Sequence, residues 1–152
     1  MPDGEQAIQR IREAFPDAVV GAGEYRGQHW VELEPARWVD VCRSLRDDPS
    51  GPYGFLVDVT AVHWPDDPLP VELVVHLFSY KRNDRLRLKV RAREGQPLPS
   101  LSALWKSADW NERETYDMFG VGFEGHPDLR RILMPEDYTD FPLRKEFPLY
   151  RG

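Results

Sequence analysis

The chain has 152 residues and a formal net charge of −6, with 20 Lys and Arg against 26 Asp and Glu. This length builds one domain with a proper core, and the acidic balance excludes a general nucleic-acid binder, whose affinity needs a net basic footprint. Cys42 is the only cysteine, which excludes an internal disulfide and any iron–sulfur cluster held by this chain alone.

Asp3 starts a segment with Gln6 at the third helical position and Ala7, Ile8, Ile11, Ala14 and Phe15 at helical spacing, stopped by Pro16. Val19 to Tyr25 and His29 to Glu34 flank Arg26-Gly27-Gln28 and read as a hairpin; in its second arm His29, Val31 and Leu33 alternate with Trp30, Glu32 and Glu34. Pro35 suits the first position of a second helix carrying Trp38, Val41, Cys42 and Leu45, broken by the Asp47-to-Pro52 turn residues. The first half is therefore αββα.

Three longer strands follow over Tyr53 to Trp64, Val71 to Lys81 and Arg85 to Arg93, separated by Pro65-Asp66-Asp67-Pro68 and Asn83-Asp84. The middle one is apolar on both faces, through Val71, Leu73, Val75 and Leu77 on one side and Val74, Phe78 and Tyr80 on the other. In the third, Leu86, Leu88, Val90 and Ala92 alternate with Arg87, Lys89, Arg91 and Arg93. So clean a basic ladder on an acidic chain reads as a solvated strand face opposite acidic neighbours rather than a phosphate grip. A short helix is expected near Leu101 to Ser107, and then a charged, aromatic one over residues 110–119. Asp109 with Glu112 three residues later forms a capping-box pattern, and Gly120 is a natural stop. No side of this helix is purely polar, so it is expected to be covered nearly all round. On it, Arg113 and Asp117 are spaced to pair four residues apart. The fold class is thus α+β: αββα, three antiparallel strands and C-terminal helices, with a body over 1–125 and an extended arm over 126–152.

Reactive constellations are sparse. His29, His63, His76 and His126 show no metal-binding spacing. Glu112 and Glu114 point to different sides of a helix, and no nucleophile elbow or phosphate loop accompanies them. Neither catalytic nor cofactor-binding nor metal-binding residues are expected on this chain. The arm is another matter. Leu129, Ile132, Leu133, Met134, Tyr138, Phe141, Leu143, Phe147, Leu149 and Tyr150 make it too apolar for a solvated tail. Pro127, Pro135, Pro142 and Pro148 suit an extended strap laid on another surface. The residues alone describe an adaptor.

Glu112-Arg113-Glu114, Asp117-Met118-Phe119, His126, Arg130 and Ile132-Leu133 together resemble the signature of the C-type subunit of NADH-quinone oxidoreductase, the peripheral quinone-module subunit of respiratory complex I. Phe141-Pro142-Leu143-Arg144-Lys145 and Phe147 are similar to that family's C-terminal pattern, and the order of elements matches the fold the family implies. The resemblance implies a scaffold of the hydrophilic arm with no redox centre of its own, with FMN and iron–sulfur clusters carried by other subunits. It implies as partners other complex I subunits, chiefly the large quinone-module subunit and the cluster-bearing one. It also implies a peripheral place on the cytoplasmic side of the bacterial plasma membrane, reached only through the complex, and no nucleic acid. The chain resembles the unfused form of the subunit. Equivalent subunits of membrane-bound hydrogenases or F420-linked dehydrogenases are the close alternative; a free-standing anion-binding α+β module is the distant one.

Overall fold

The computed structural model describes residues 3–127. Helix α1 (Asp3–Ala14) turns Ala7, Ile8 and Ile11 into the core, a stripe at three- and four-residue spacing. Strands β1 (Val19–Tyr25) and β2 (Gln28–Leu33) form the expected hairpin. Its connection is the two residues Arg26 and Gly27, both at positive φ, the conformation that matches the twist of a tight hairpin. Pro35 opens a single 3₁₀ turn (Pro35–Arg37) rather than the helix itself, and α2 (Trp38–Arg46) follows with Trp38, Val41, Cys42 and Leu45 buried.

Strands β3 (Phe55–His63), β4 (Val71–Ser79) and β5 (Asp84–Ala92) run as an antiparallel meander. They join the hairpin in one five-stranded sheet of order β1-β2-β5-β4-β3. The three strands are antiparallel to one another as expected, and how they meet the hairpin is set by the crossover. The chain crosses over after β2, enters the sheet at its far edge and works inward, so that β5 lies parallel to β2, with Val31 opposite Leu88. The sheet is therefore mixed. Strand β5 takes the central place because Leu86, Leu88, Val90 and Ala92 need complete cover, and all four have it. They share one core with Val31 and Leu33 of β2, Leu73, Val75 and Leu77 of β4, Leu56, Val59 and Ala61 of β3, and the apolar stripes of α1 and α2.

Beyond β5 the expected helix at Leu101 to Ser107 is absent. Residues 102–104 form a turn, and one helix, α3 (Ser107–Phe119), covers this region. It starts three residues before the expected boundary, with Lys106 at the cap position and no side-chain cap, so Asp109 lies inside the first turn and not at its head. The capping-box pattern misled because Glu112 is committed to a different turn. Gly120 ends the helix as expected, in the left-handed conformation with its N–H on the Tyr116 carbonyl at 2.8 Å. Two short strands, β6 (Leu98–Pro99) and β7 (Phe123–Glu124), pair in parallel and close the loop around α3.

Strand β3 is an edge of the sheet, and an edge carbonyl without a partner is costly when covered. The segment from Trp105 to Thr115 supplies the partners. Trp105 Nε1 donates to the Tyr53 carbonyl at 3.1 Å and the Ser107 hydroxyl to the Leu56 carbonyl at 2.8 Å. The Thr115 hydroxyl lies 3.1 Å from the Val59 carbonyl and 2.9 Å from that of Asn111, and shares its one hydrogen between them. These bonds place α3 along the edge of the sheet.

Candidate functional site

The signature residues on α3 separate into an inward and an outward set. Ala108, Glu112 and Thr115 recur at four- and three-residue spacing and face inward, all buried. Glu112 is only 1% exposed. Its Oε2 accepts from the Leu101 backbone N–H at 2.8 Å and its Oε1 from the Ser100 hydroxyl at 2.6 Å. Ser100 in turn accepts from the Ser102 N–H at 3.1 Å. The carboxylate therefore caps the turn that leads into α3, which is why it cannot serve as the helix's own capping box.

Burial pushes the Glu112 carboxyl up to about 7, with the Asp109 carboxylate adding to that shift; the Leu101 N–H, the Ser100 hydroxyl and His126 pull the other way. His126 has its side chain fully buried, with Nε2 at 4.0 Å from Glu112 Oε1. Nε2–H donates to the Asp109 backbone carbonyl at 3.0 Å, which fixes the hydrogen on that nitrogen. Although His126 opens the stretch read as an arm, its ring is packed against α3. Arg113 Nε sits 3.0 Å from Asp109 Oδ1, an ionic contact whose angle falls short of a hydrogen bond. Arg113 thus has an acidic neighbour four residues before it. Asp117 is fully buried.

Outward, Trp110 is 54% exposed, while Glu114 and Met118 are half-buried; Phe119 continues the inward stripe and packs against the core. The helix is covered over most of its circumference, as its mixed faces required. Of the remaining signature residues, Arg130, Ile132, Leu133, Phe141, Pro142, Leu143, Arg144, Lys145 and Phe147 lie outside the described residues, as does the rest of the arm. The hydroxyls of Ser100, Ser107 and Thr115 escaped the sequence reading. The spacing Ser100-x-Ser102 is a weak local sign of a side-chain-capped turn, but nothing in the sequence says that the distant Glu112 carboxylate would complete it.

The sheet face opposite the core holds the basic ladder. Arg87 Nε donates to His76 Nε2 at 3.0 Å, and His76 Nδ1 lies 2.6 Å from Asp58 Oδ1, so three strands are joined by one chain of hydrogen bonds. Lys89 lies 4.6 Å above the Trp30 ring, and Arg91 contacts Asp67 at 2.9 Å and Glu72 at 3.6 Å. Acidic neighbours therefore serve part of the ladder, Arg91 directly and Arg87 through His76 on Asp58, while Lys89 rests on an aromatic ring instead.

What this arrangement can do chemically is limited. Among the described residues the carboxylate poised near neutrality, Glu112, is sealed from solvent, and a substrate has no access to it. Cys42 is buried, and burial together with the Glu112 charge pushes its thiol far above the ordinary range. Among the described residues no group of three His, Cys, Asp or Glu is placed to hold a metal ion, and no helix is long and apolar enough to cross a membrane.

Residues 31–151 match the family described as respiratory-chain NADH dehydrogenase, 30 Kd subunit. The chain is 47% identical to the C-type subunit of NADH-quinone oxidoreductase from Roseiflexus sp. (strain RS-1), covering 97% of this chain and 85% of that protein. It is 42% identical to the subunit of the same name from Citrifermentans bemidjiense, covering 98% and 92%. Two solved structures share the fold. One is a chain of the membrane-bound sulfane sulfur reductase, an archaeal respiratory membrane complex, with a TM-score of 0.79 at 26% identity over 96% of this chain and 86% of that one. The other is the trypsin-resistant fragment of Nqo5, with a TM-score of 0.62 at 27% identity over 82% and 98%. Sequence along nearly the whole chain, the α3 signature and the fold agree: the chain belongs to the family of the 30 Kd subunit of respiratory-chain NADH dehydrogenase, the C-type subunit family of NADH-quinone oxidoreductase.

Proposed function

We propose that this chain works as a structural subunit of an NADH-quinone oxidoreductase, holding the geometry of the subunits that pass electrons from NADH to quinone while taking no electrons itself. The observation that carries the reading is identity of 47% and 42% to subunits of that enzyme over almost the full length of both partners. The interior supports it. The titratable cluster on α3 is spent on pinning a turn, and Glu112 is closed to any substrate.

The sulfane sulfur reductase chain is the better superposition, which favours an equivalent subunit in another membrane-bound respiratory complex as a second reading. Sequence favours the first reading. The quinone-oxidoreductase relatives stand at 42% and 47%, against 26% for that chain, and side-chain identity tracks specific partners where backbone shape does not.

In the proposed complex the partners are the large quinone-module subunit and its cluster-bearing neighbour, and FMN and the iron–sulfur clusters sit on other chains. The protein lies on the cytoplasmic side of the plasma membrane and meets the membrane only through the complex. The test is deletion of this chain from its host, followed by native electrophoresis and NADH:quinone reductase assay of the membranes. Loss of the assembled enzyme, restored by the chain supplied in trans, is the expected result. An intact, fully active enzyme without it would overturn the proposal.

A further inference from the structure

One end of the outward sheet face differs from the rest. There Arg85 on β5, Phe78 on β4 and Phe55 on β3 stand in register, and Tyr25 on β1 faces Gln28 on β2 one residue before the His29–Leu86 pair that joins β2 to β5. Tyr80 stands at the end of this row, edge-on to Phe78 with centroids 4.9 Å apart and to Phe55 at 6.3 Å. These rings face water to an unusual extent. Tyr80 is 76% exposed, Tyr25 61% and Phe55 44%. Arg26 lies over the Tyr25 ring, 5.3 Å from its centroid.

The charges of the row are also unlike those beside it. One step along the same face, Arg87 is tied to His76 and Asp58; beyond that, Lys89 rests on Trp30 and Arg91 on Asp67 and Glu72. Arg85, in the middle of the row, makes no ion pair among the described residues. The acids nearest in sequence face other groups: Asp84 accepts from the Tyr53 hydroxyl at 2.8 Å, and Glu24 sits 3.6 Å from His29. A chain of net charge −6 therefore presents, at one end of its sheet, exposed aromatic rings around unneutralised arginine.

Clustered aromatic and arginine side chains are the composition of energetic anchors in protein interfaces, because large rigid rings bury area at small entropic cost and a guanidinium forks onto a carboxylate. Two free arginines are too narrow a footprint for a nucleic-acid backbone on an acidic chain. Resting on the reading of the chain as a structural subunit, we propose that this end of the open sheet face docks an acidic segment of a neighbouring protein of the complex. An apolar side chain of that segment sits among Phe55, Phe78 and Tyr80, and a carboxylate sits on Arg85.

The experiment purifies the enzyme complex from its host through a tag on another subunit, with this chain present as wild type, Arg85→Glu, Arg85→Lys or Tyr80→Ala. Wild type and Arg85→Lys are expected at full stoichiometry. Arg85→Glu is expected at one tenth or less, and Tyr80→Ala reduced several-fold and further reduced by a high-salt wash. Because Arg85 and Tyr80 are exposed, the purified variants should show unchanged urea midpoints, which separates docking from folding. In parallel, a photo-reactive phenylalanine at position 80 is expected to crosslink, in the assembled complex, to a segment of another subunit rich in Asp and Glu. Wild-type incorporation of Arg85→Glu, or a crosslink to lipid, to a basic segment or to residues 128–152 of the same chain, would overturn the inference and leave the structural-subunit reading standing. Absence of the wild-type chain itself from the complex would instead overturn that reading.

Discussion

Replacing Glu112 by Gln should make the protein more stable at neutral pH and remove a slope from its stability curve. The folded chain holds the Glu112 proton up to about pH 7, against an ordinary value of 4.5, because charging the carboxylate inside the protein costs more than its hydrogen bonds return. Between those values the folded state binds more protons than the unfolded one, so unfolding free energy falls as pH rises; the whole penalty is in place above the folded value. A gap of about two and a half pH units corresponds to about 3 kcal/mol. Gln suits the site, since its carbonyl can accept from the Leu101 N–H while its amide donates to Ser100 and the Ser100 hydroxyl turns to Ser102, 2.8 Å away. Urea unfolding of both proteins from about pH 5 to about pH 8 should show the Gln variant gaining on wild type by up to about 3 kcal/mol across the range. Asp17, Asp48 and Asp67, whose carboxyls are held below their ordinary value, titrate at lower pH and act equally in both proteins. Parallel curves, or a Gln variant that loses ground toward high pH, would refute the reasoning.

Gly23 should not tolerate alanine, because an added methyl carbon would stand 2.9 Å from Trp30 Cζ2 and push the indole off β1 and from under Lys89; at Gly21 the nearest atom is 3.9 Å away. Thermal unfolding should show Gly23→Ala losing about 1–3 kcal/mol and Gly21→Ala close to neutral. Thr115→Val keeps the shape of the side chain but leaves the Val59 carbonyl without its hydroxyl partner at the covered edge, at a cost of about 1–2 kcal/mol read by urea midpoint. Cys42 should resist thiol reagents in the folded protein and react only at the rate of unfolding, as a timed labelling assay by mass spectrometry would register.

The elements of this chain were legible because periodicity reports which residues face inward. Ile8 and Ile11, Trp38 to Leu45, and the alternation from Leu86 to Ala92 each marked a face that the structure buries. Which strand lies beside which was not legible, since the alternation in β5 says that Leu88 faces the core but not that Val31 is its neighbour. Local capping rules failed at α3 for a related reason. The pattern Asp109 with Glu112 is sound as a helix start, yet tertiary structure gave Glu112 to Leu101 and Ser100, and the helix began where Ser107 could reach the Leu56 carbonyl. Sequence marked the ladder of Arg87, Lys89, Arg91 and Arg93 as a face opposite acidic neighbours without naming them, and passed over Arg85. The docking row became visible only when the five strands were set in register.

The central claim is membership in an electron-transfer complex by contact alone, and affinity purification of the tagged chain from its native membranes under mild detergent tests it most directly. The expected eluate contains the subunits of NADH-quinone oxidoreductase in fixed ratio and reduces quinone with NADH, with all flavin and iron accounted for by chains other than this one. A chain that elutes alone, elutes with an unrelated assembly, or oxidises NADH by itself would contradict the account.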